Sequence, residues 1–138
     1  MLYIWDIEKI IKNTLLEHKI TVNYEFDNNL TAPMSYNKST NTIKFNYLQV
    51  NGYKGIFNLK ETDENFVKII LYHTLGYYLD IKKNKHDLRV LMYGKEAEKE
   101  ELKSLIEQNS WEYGRTLVPD YLVKSYDKVR EMDKLLIK

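Results

Sequence analysis

Val67-Lys68-Ile69-Ile70-Leu71-Tyr72-His73-Thr74-Leu75-Gly76-Tyr77-Tyr78-Leu79-Asp80 is the stretch on which the reading of this chain turns. Phe66, Ile70, His73 and Tyr77 share one stripe at helical spacing, with Val67, Leu71, Leu75 and Tyr78 beside it, so the segment is apolar around much of its girth. Such a helix belongs at the centre of a molecule. Thr62 can cap it, and Asp63 and Glu64 suit its positive end, which predicts a helix over residues 63–80.

Outward toward the C-terminus, Lys82, Lys83, Asn84 and Lys85 form a polar break, read with His86 and Arg89 as a solvated connection. After Gly94 the run from Lys95 to Val118 reads as a third helix, which Pro119 stops. Asp120 is placed to cap a last helix with Leu122, Val123, Tyr126, Val129, Met132 and Leu136 on its buried side. Toward the N-terminus, Gly52 and Gly55 mark a loop. Met34–Tyr36 and Thr42–Phe45 are two short strands joined by a turn, which suggests a small antiparallel sheet. Ile20, Val22, Tyr24 and Phe26 alternate with polar residues as a half-buried strand does, and Ile4, Ile7, Ile10, Ile11 and Leu15 recur as an amphipathic first helix over about residues 5–18. Helix, small sheet, then three helices is an α+β order, read as one domain spanning residues 1–138.

Composition narrows the chemistry. The 138 residues hold no cysteine, which excludes disulfides, thiolate zinc sites, iron–sulfur clusters and a cysteine nucleophile. Lys and Arg number 21 against 20 Asp and Glu, and neither half of the chain carries an excess, so no basic face for direct nucleic-acid binding is expected. Apolar runs are too short to span a bilayer, and the N-terminal stretch lacks a basic leader region and cleavage site, so a cytoplasmic protein off the membrane is expected. GxGxxG, P-loop, GxSxG and EF-hand spacings are absent.

In an HExxH helix two histidines four residues apart bind zinc from one face, and the Glu acts as general base toward the metal-bound water. Residues 73–77 read HTLGY, and the apolar lead-in and the Gly-aromatic-Leu-Asp continuation match HELGHYLD with two positions exchanged. A later stretch, Glu107-Gln108-Asn109-Ser110-Trp111-Glu112-Tyr113, continuing through Leu117-Val118 to Pro119, is similar to an ExxAW pattern with Ser110 in the small-residue place. Together these elements resemble the ImmA/IrrE-like metallopeptidases, over about residues 1–125. The resemblance implies a zincin-like fold, with His73 as first metal ligand and Glu107 as third.

The departures from that pattern decide the expected activity. The general-base position holds Thr74, whose hydroxyl cannot take a proton from water near neutral pH, and the second ligand position holds Tyr77, a poor zinc ligand while its phenol is neutral. Two ordinary ligands remain where a catalytic zinc site uses three. His18 or His86 would have to reach His73 through a tertiary contact, and Glu112 points roughly 140° away from Glu107 on an ideal helix. His73 is therefore read as a histidine hydrogen-bonded to Glu107 or Tyr77, and Trp111 as a packing residue. No cofactor is expected; zinc is the metal that His73 and Glu107 would hold if one is bound.

The expectation is a catalytically degenerate metallopeptidase-like protein that acts by binding another protein. The resemblance implies a regulatory role against a helix-turn-helix repressor in a phage or mobile element, with the partner over a cleft formed by Thr42, Phe45, His73, Tyr77, Glu107 and Trp111. An active zinc-dependent peptidase with an unorthodox metal site is the alternative, and a structural or toxin-related protein of inherited shape is a third reading.

Overall fold

A computed structural model describes residues 1–136, the side chain of Leu136 excepted, so the expectation of a buried Leu136 lies outside the described residues. The fold is α+β. Helix α1 (Ile4–Glu17) buries Ile7, Ile10, Ile11, Thr14 and Leu15, and the Tyr3 amide donates to Asp6 Oδ2 at 2.9 Å across its first turn. Strands β1 (Asn23–Phe26), β2 (Met34–Asn37) and β3 (Thr42–Phe45) form one sheet in the order β1-β3-β2. β2 pairs antiparallel with β3 as a hairpin partner, but β1 pairs parallel with it, Asn23 opposite Thr42 and Phe26 opposite Phe45. The antiparallel pair expected from residues 34–45 is present, and the parallel addition of β1 goes beyond it: alternation identifies a strand but carries no information on which side its neighbour lies.

A correction comes with the next element. The stretch read as a loop around Gly52 and Gly55 is helix α2 (Tyr47–Phe57). Asn46 starts it by accepting from the Leu48 amide at 3.2 Å, while Val50 and Phe57 anchor it to the core and Asn58 ends it in the left-handed region at φ 45°. Both glycines keep negative φ, so they are tolerated inside the helix and do not break it.

Helix α3 (Asp63–Lys83) begins at Thr62, whose hydroxyl accepts from the Asn65 amide at 3.1 Å, and runs three residues past the expected end. A short helix α4 (Val90–Tyr93) interrupts the polar connection, followed by α5 (Glu96–Arg115). Asp120 caps no helix: it opens a 3₁₀ turn over Asp120–Leu122 that leads into α6 (Val123–Leu136). One apolar cluster draws Ile11, Ile43, Val50, Leu71, Trp111 and Tyr126 from both ends of the chain into a common core. Among the described residues no helix is long and apolar enough to cross a membrane.

The contact that positions everything below is the crossing of α3 on α5. A Cβ on Gly76 would stand 1.7 Å from the Ser110 carbonyl oxygen, and one on Gly114 would stand 2.3 Å from the Tyr72 carbonyl oxygen. Only glycine permits backbones this near. Ser110, fully buried, fits between them by turning its hydroxyl onto Ile106 O at 2.7 Å in its own helix.

Candidate functional site

The close crossing sets two one-turn pairs face to face: His73 and Tyr77 on α3, Glu107 and Trp111 on α5. They meet at the Glu107 carboxylate. The Trp111 indole N–H donates to Oε1 at 3.1 Å, the Tyr77 hydroxyl donates to Oε2, and His73 Nε2 lies 3.1 Å from Oε1. The His73 ring stacks on the Trp111 indole with centroids 3.7 Å apart and planes at 12°, while the Tyr77 ring lies tilted to it at 5.0 Å. Trp111 is 4% exposed; its backbone carbonyl accepts from the Tyr126 hydroxyl at 2.7 Å, and the Tyr126 ring packs edge-on to the indole at 5.3 Å. Trp111 is therefore both a packing residue and a donor to the site.

The side chains of His73 and Glu107 are 16% and 34% exposed. Burial lowers the His73 pKa from its usual 6.5; the hydrogen bond and charge of Glu107 oppose this but are the smaller influences. The ring is accordingly neutral around pH 7, with its one N–H assigned to Nε2 on the strength of the Glu107 contact. Nδ1 is buried without a hydrogen-bond partner. Thr74, one residue on, is buried and spends its hydroxyl proton on Ile70 O at 3.0 Å in the preceding turn. No group at this position can accept a proton from water.

The donor set does not suit zinc. A zinc centre of the peptidase type takes three nitrogen or oxygen ligands around an open position. Here His73 and Glu107 are turned on one another, and the third candidate, Tyr77, is a phenol bonded to the same carboxylate. Neither spare histidine joins them. His18 sits edge-on to Tyr72 at 5.9 Å, and His86 Nε2 contacts both oxygens of Asp80 at 2.9 and 3.1 Å. Glu112 pairs outward with Arg130 at 2.6 Å. Among the described residues no group of three or more His, Asp or Glu side chains is placed to hold a metal ion.

Beside the quartet lies a cavity of about 220 Å³. His73, Thr74, Tyr77, Glu107 and Trp111 line one side of it. Thr42 and Phe45, expected at its edge, are buried elsewhere, because β3 is the middle strand of the sheet and has no free edge. The sheet's contribution comes from Met34, at the start of edge strand β2, and from Ala32 and Pro33 before it. Tyr53 and Asp133 complete the polar lining, joined by a hydrogen bond from the Tyr53 hydroxyl to Asp133 Oδ1. Neither was anticipated. Tyr53 was hidden by reading α2 as a loop, whereas Asp133 carried a usable signal: an acid one turn after Val129 on an otherwise apolar stripe.

A second polar group, also unforeseen, holds the far end of α3. The fully buried Asp80 accepts from Asn84 Nδ2 at 2.8 Å and Asn109 Nδ2 at 2.9 Å besides contacting His86. These bonds clamp the Lys-rich connection back onto α3 and α5. Comparisons of the chain with protein-family models, with curated proteins and with solved structures found no match.

Proposed function

We propose that this chain is a zincin-like protein of ImmA/IrrE character whose peptidase site has degenerated, and that it acts by binding another protein over the former substrate cleft. The observation carrying this reading is the meeting of His73 and Glu107 at 3.1 Å from two different helices, with Thr74 and Tyr77 in the positions of the missing base and ligand. The partner in this reading is a helix-turn-helix repressor of a phage or mobile element, and binding regulates it.

The fold half of the reading is tested by restoring the chemistry. The double variant Thr74→Glu with Tyr77→His should gain zinc at one ion per chain, measured by metal analysis and calorimetry on protein purified without chelator, while the unaltered chain should hold substoichiometric zinc. A folded double variant that ignores zinc would overturn the zincin assignment. The binding half is tested by pull-down from the native cell, where one specific protein should be enriched and lost again on Trp111→Ala or Tyr77→Ala. Stoichiometric zinc in the unaltered protein, removed by His73→Ala, would instead overturn the degenerate-site reading.

A further inference from the structure

The outward face of α1 takes no part in the core or the cleft. At about 100° per residue, Trp5, Lys9, Lys12 and Leu16 fall within an arc of about 60°, diametrically opposite the core-facing Ile7 and Thr14. All four are exposed, Trp5 by 67% and Leu16 by 68%. They make a ridge about 16 Å long in which two cations stand between two apolar ends. The acids of the helix keep to its flanks, Glu8 half-buried on one side and Asp6 and Glu17 on the other. The lysines held in ion pairs among the described residues are Lys44, Lys54, Lys68, Lys99, Lys103 and Lys134, and neither ridge lysine is among them. The Trp5 end is built up and held. The Tyr3 ring stacks on the indole with centroids 5.2 Å apart and planes at 14°. Just before it, the Asn51 side chain of α2 accepts from the Leu2 amide at 3.0 Å and donates to the Leu2 carbonyl at 2.9 Å.

Charge and spacing select the occupant. Protein interfaces concentrate their binding energy on exposed Trp and Tyr, and a side chain already held by its neighbours loses less freedom on docking. Two unpaired cations call for two carboxylates. A second copy in a symmetric contact would bring its own Lys9 and Lys12 against this pair, and like charges repel. Nucleic acid would gain two neutralised phosphates, against roughly six to ten for a duplex-binding surface. At an anionic bilayer each lysine is worth about fivefold in binding, and two of them do not make a stable anchor. A helix laid along α1 shares its rise of about 1.5 Å per residue, so a stripe of Leu, Glu, Glu and Leu at the ridge's own spacing meets all four groups at once. We propose that the outer ridge of α1 docks an acidic amphipathic helix of a partner protein, its two carboxylates on Lys9 and Lys12 and its apolar groups on Trp5 and Leu16. The ridge shares no residue with the cleft, so this surface stands apart from the reading above.

The test is titration of the ¹⁵N-labelled full chain with an alanine-based helical peptide of about 20 residues that carries Leu, Glu, Glu and Leu at the ridge's spacing. Control peptides replace both Glu with Gln or with Lys. The Glu peptide should shift the Trp5 indole N–H resonance saturably while that of Trp111 stays still, and the Gln peptide should bind about fivefold or more weaker. Charge reversal, Lys9→Glu with Lys12→Glu, should abolish binding of the Glu peptide and confer binding of the Lys peptide. Both positions are exposed, and the comparison of the three peptides on the unaltered chain needs no variant. No saturable shift at Trp5, equal binding of the Gln peptide, or binding of the Glu peptide that survives charge reversal would overturn the proposal. Co-sedimentation with phosphatidylserine vesicles that the charge-reversed variant loses would overturn it in favour of a lipid surface. A dimer in sedimentation velocity that Trp5→Ala abolishes would overturn it in favour of a second copy.

Discussion

His73 concentrates the energetic tension of the site in one residue. Its ring is stacked, tilted against and hydrogen-bonded, yet Nδ1 has no partner and burial disfavours the charged form. With the folded pKa below the unfolded value of 6.5, the unfolded chain takes up the proton first as pH falls. The stability that the neutral ring contributes is thus complete above pH 6.5 and declines as pH drops from there toward the folded pKa, by at most about 1.4 kcal/mol per pH unit for one proton. Urea unfolding at a series of pH values between neutral and mildly acid should show this slope, and His73→Gln should flatten it. An unchanged slope in the variant would show that the proton goes elsewhere.

The helices differ in what their glycines do, and the difference can be measured. Gly55 in α2 has open space where a Cβ would stand, so Gly55→Ala should stabilise the protein by about 0.5–1 kcal/mol through helix propensity alone. Gly76→Ala in α3 would drive a methyl group into the Ser110 carbonyl and should destabilise it by about 1–3 kcal/mol or more. Opposite shifts in melting temperature from the same chemical change would locate the close crossing; equal gains would place it elsewhere. Much of this was legible beforehand. The central helix and its cap at Thr62 follow from periodicity and a capping residue, because those signals are local and strong, whereas the approach of His73 to Glu107 was implied only by the family resemblance. The helical state of residues 47–57 was not, since two glycines outweigh the Asn46 cap in any reading of local preference, and the buried faces of Val50 and Phe57 act only once the core exists. The parallel pairing of β1 escaped for a related reason: four-residue strands specify a face but not a neighbour.

At the scale of the whole molecule, the apolar cluster contains residues from α1, the sheet, α2, α3, α5 and α6, so no part of it has a separate interior. Unfolding should therefore be a single cooperative transition, with far-ultraviolet and near-ultraviolet circular dichroism giving coincident curves. Two offset transitions would contradict the shared core. The same architecture explains why the site was only half visible in advance. Its α3 and α5 residues carry a motif, but Tyr53, Met34 and Asp133 arrive from three other elements by tertiary packing, which leaves no mark on local spacing. The stacking of His73 on Trp111 has one more outcome. Of the two indoles in the chain, Trp5 is 67% exposed and Trp111 is enclosed against the imidazole, so their emission should separate into a solvent-facing red component and a blue one seated in the cleft. The molecule carries its own lamp inside the site, and a group that enters beside Trp111 should change its brightness.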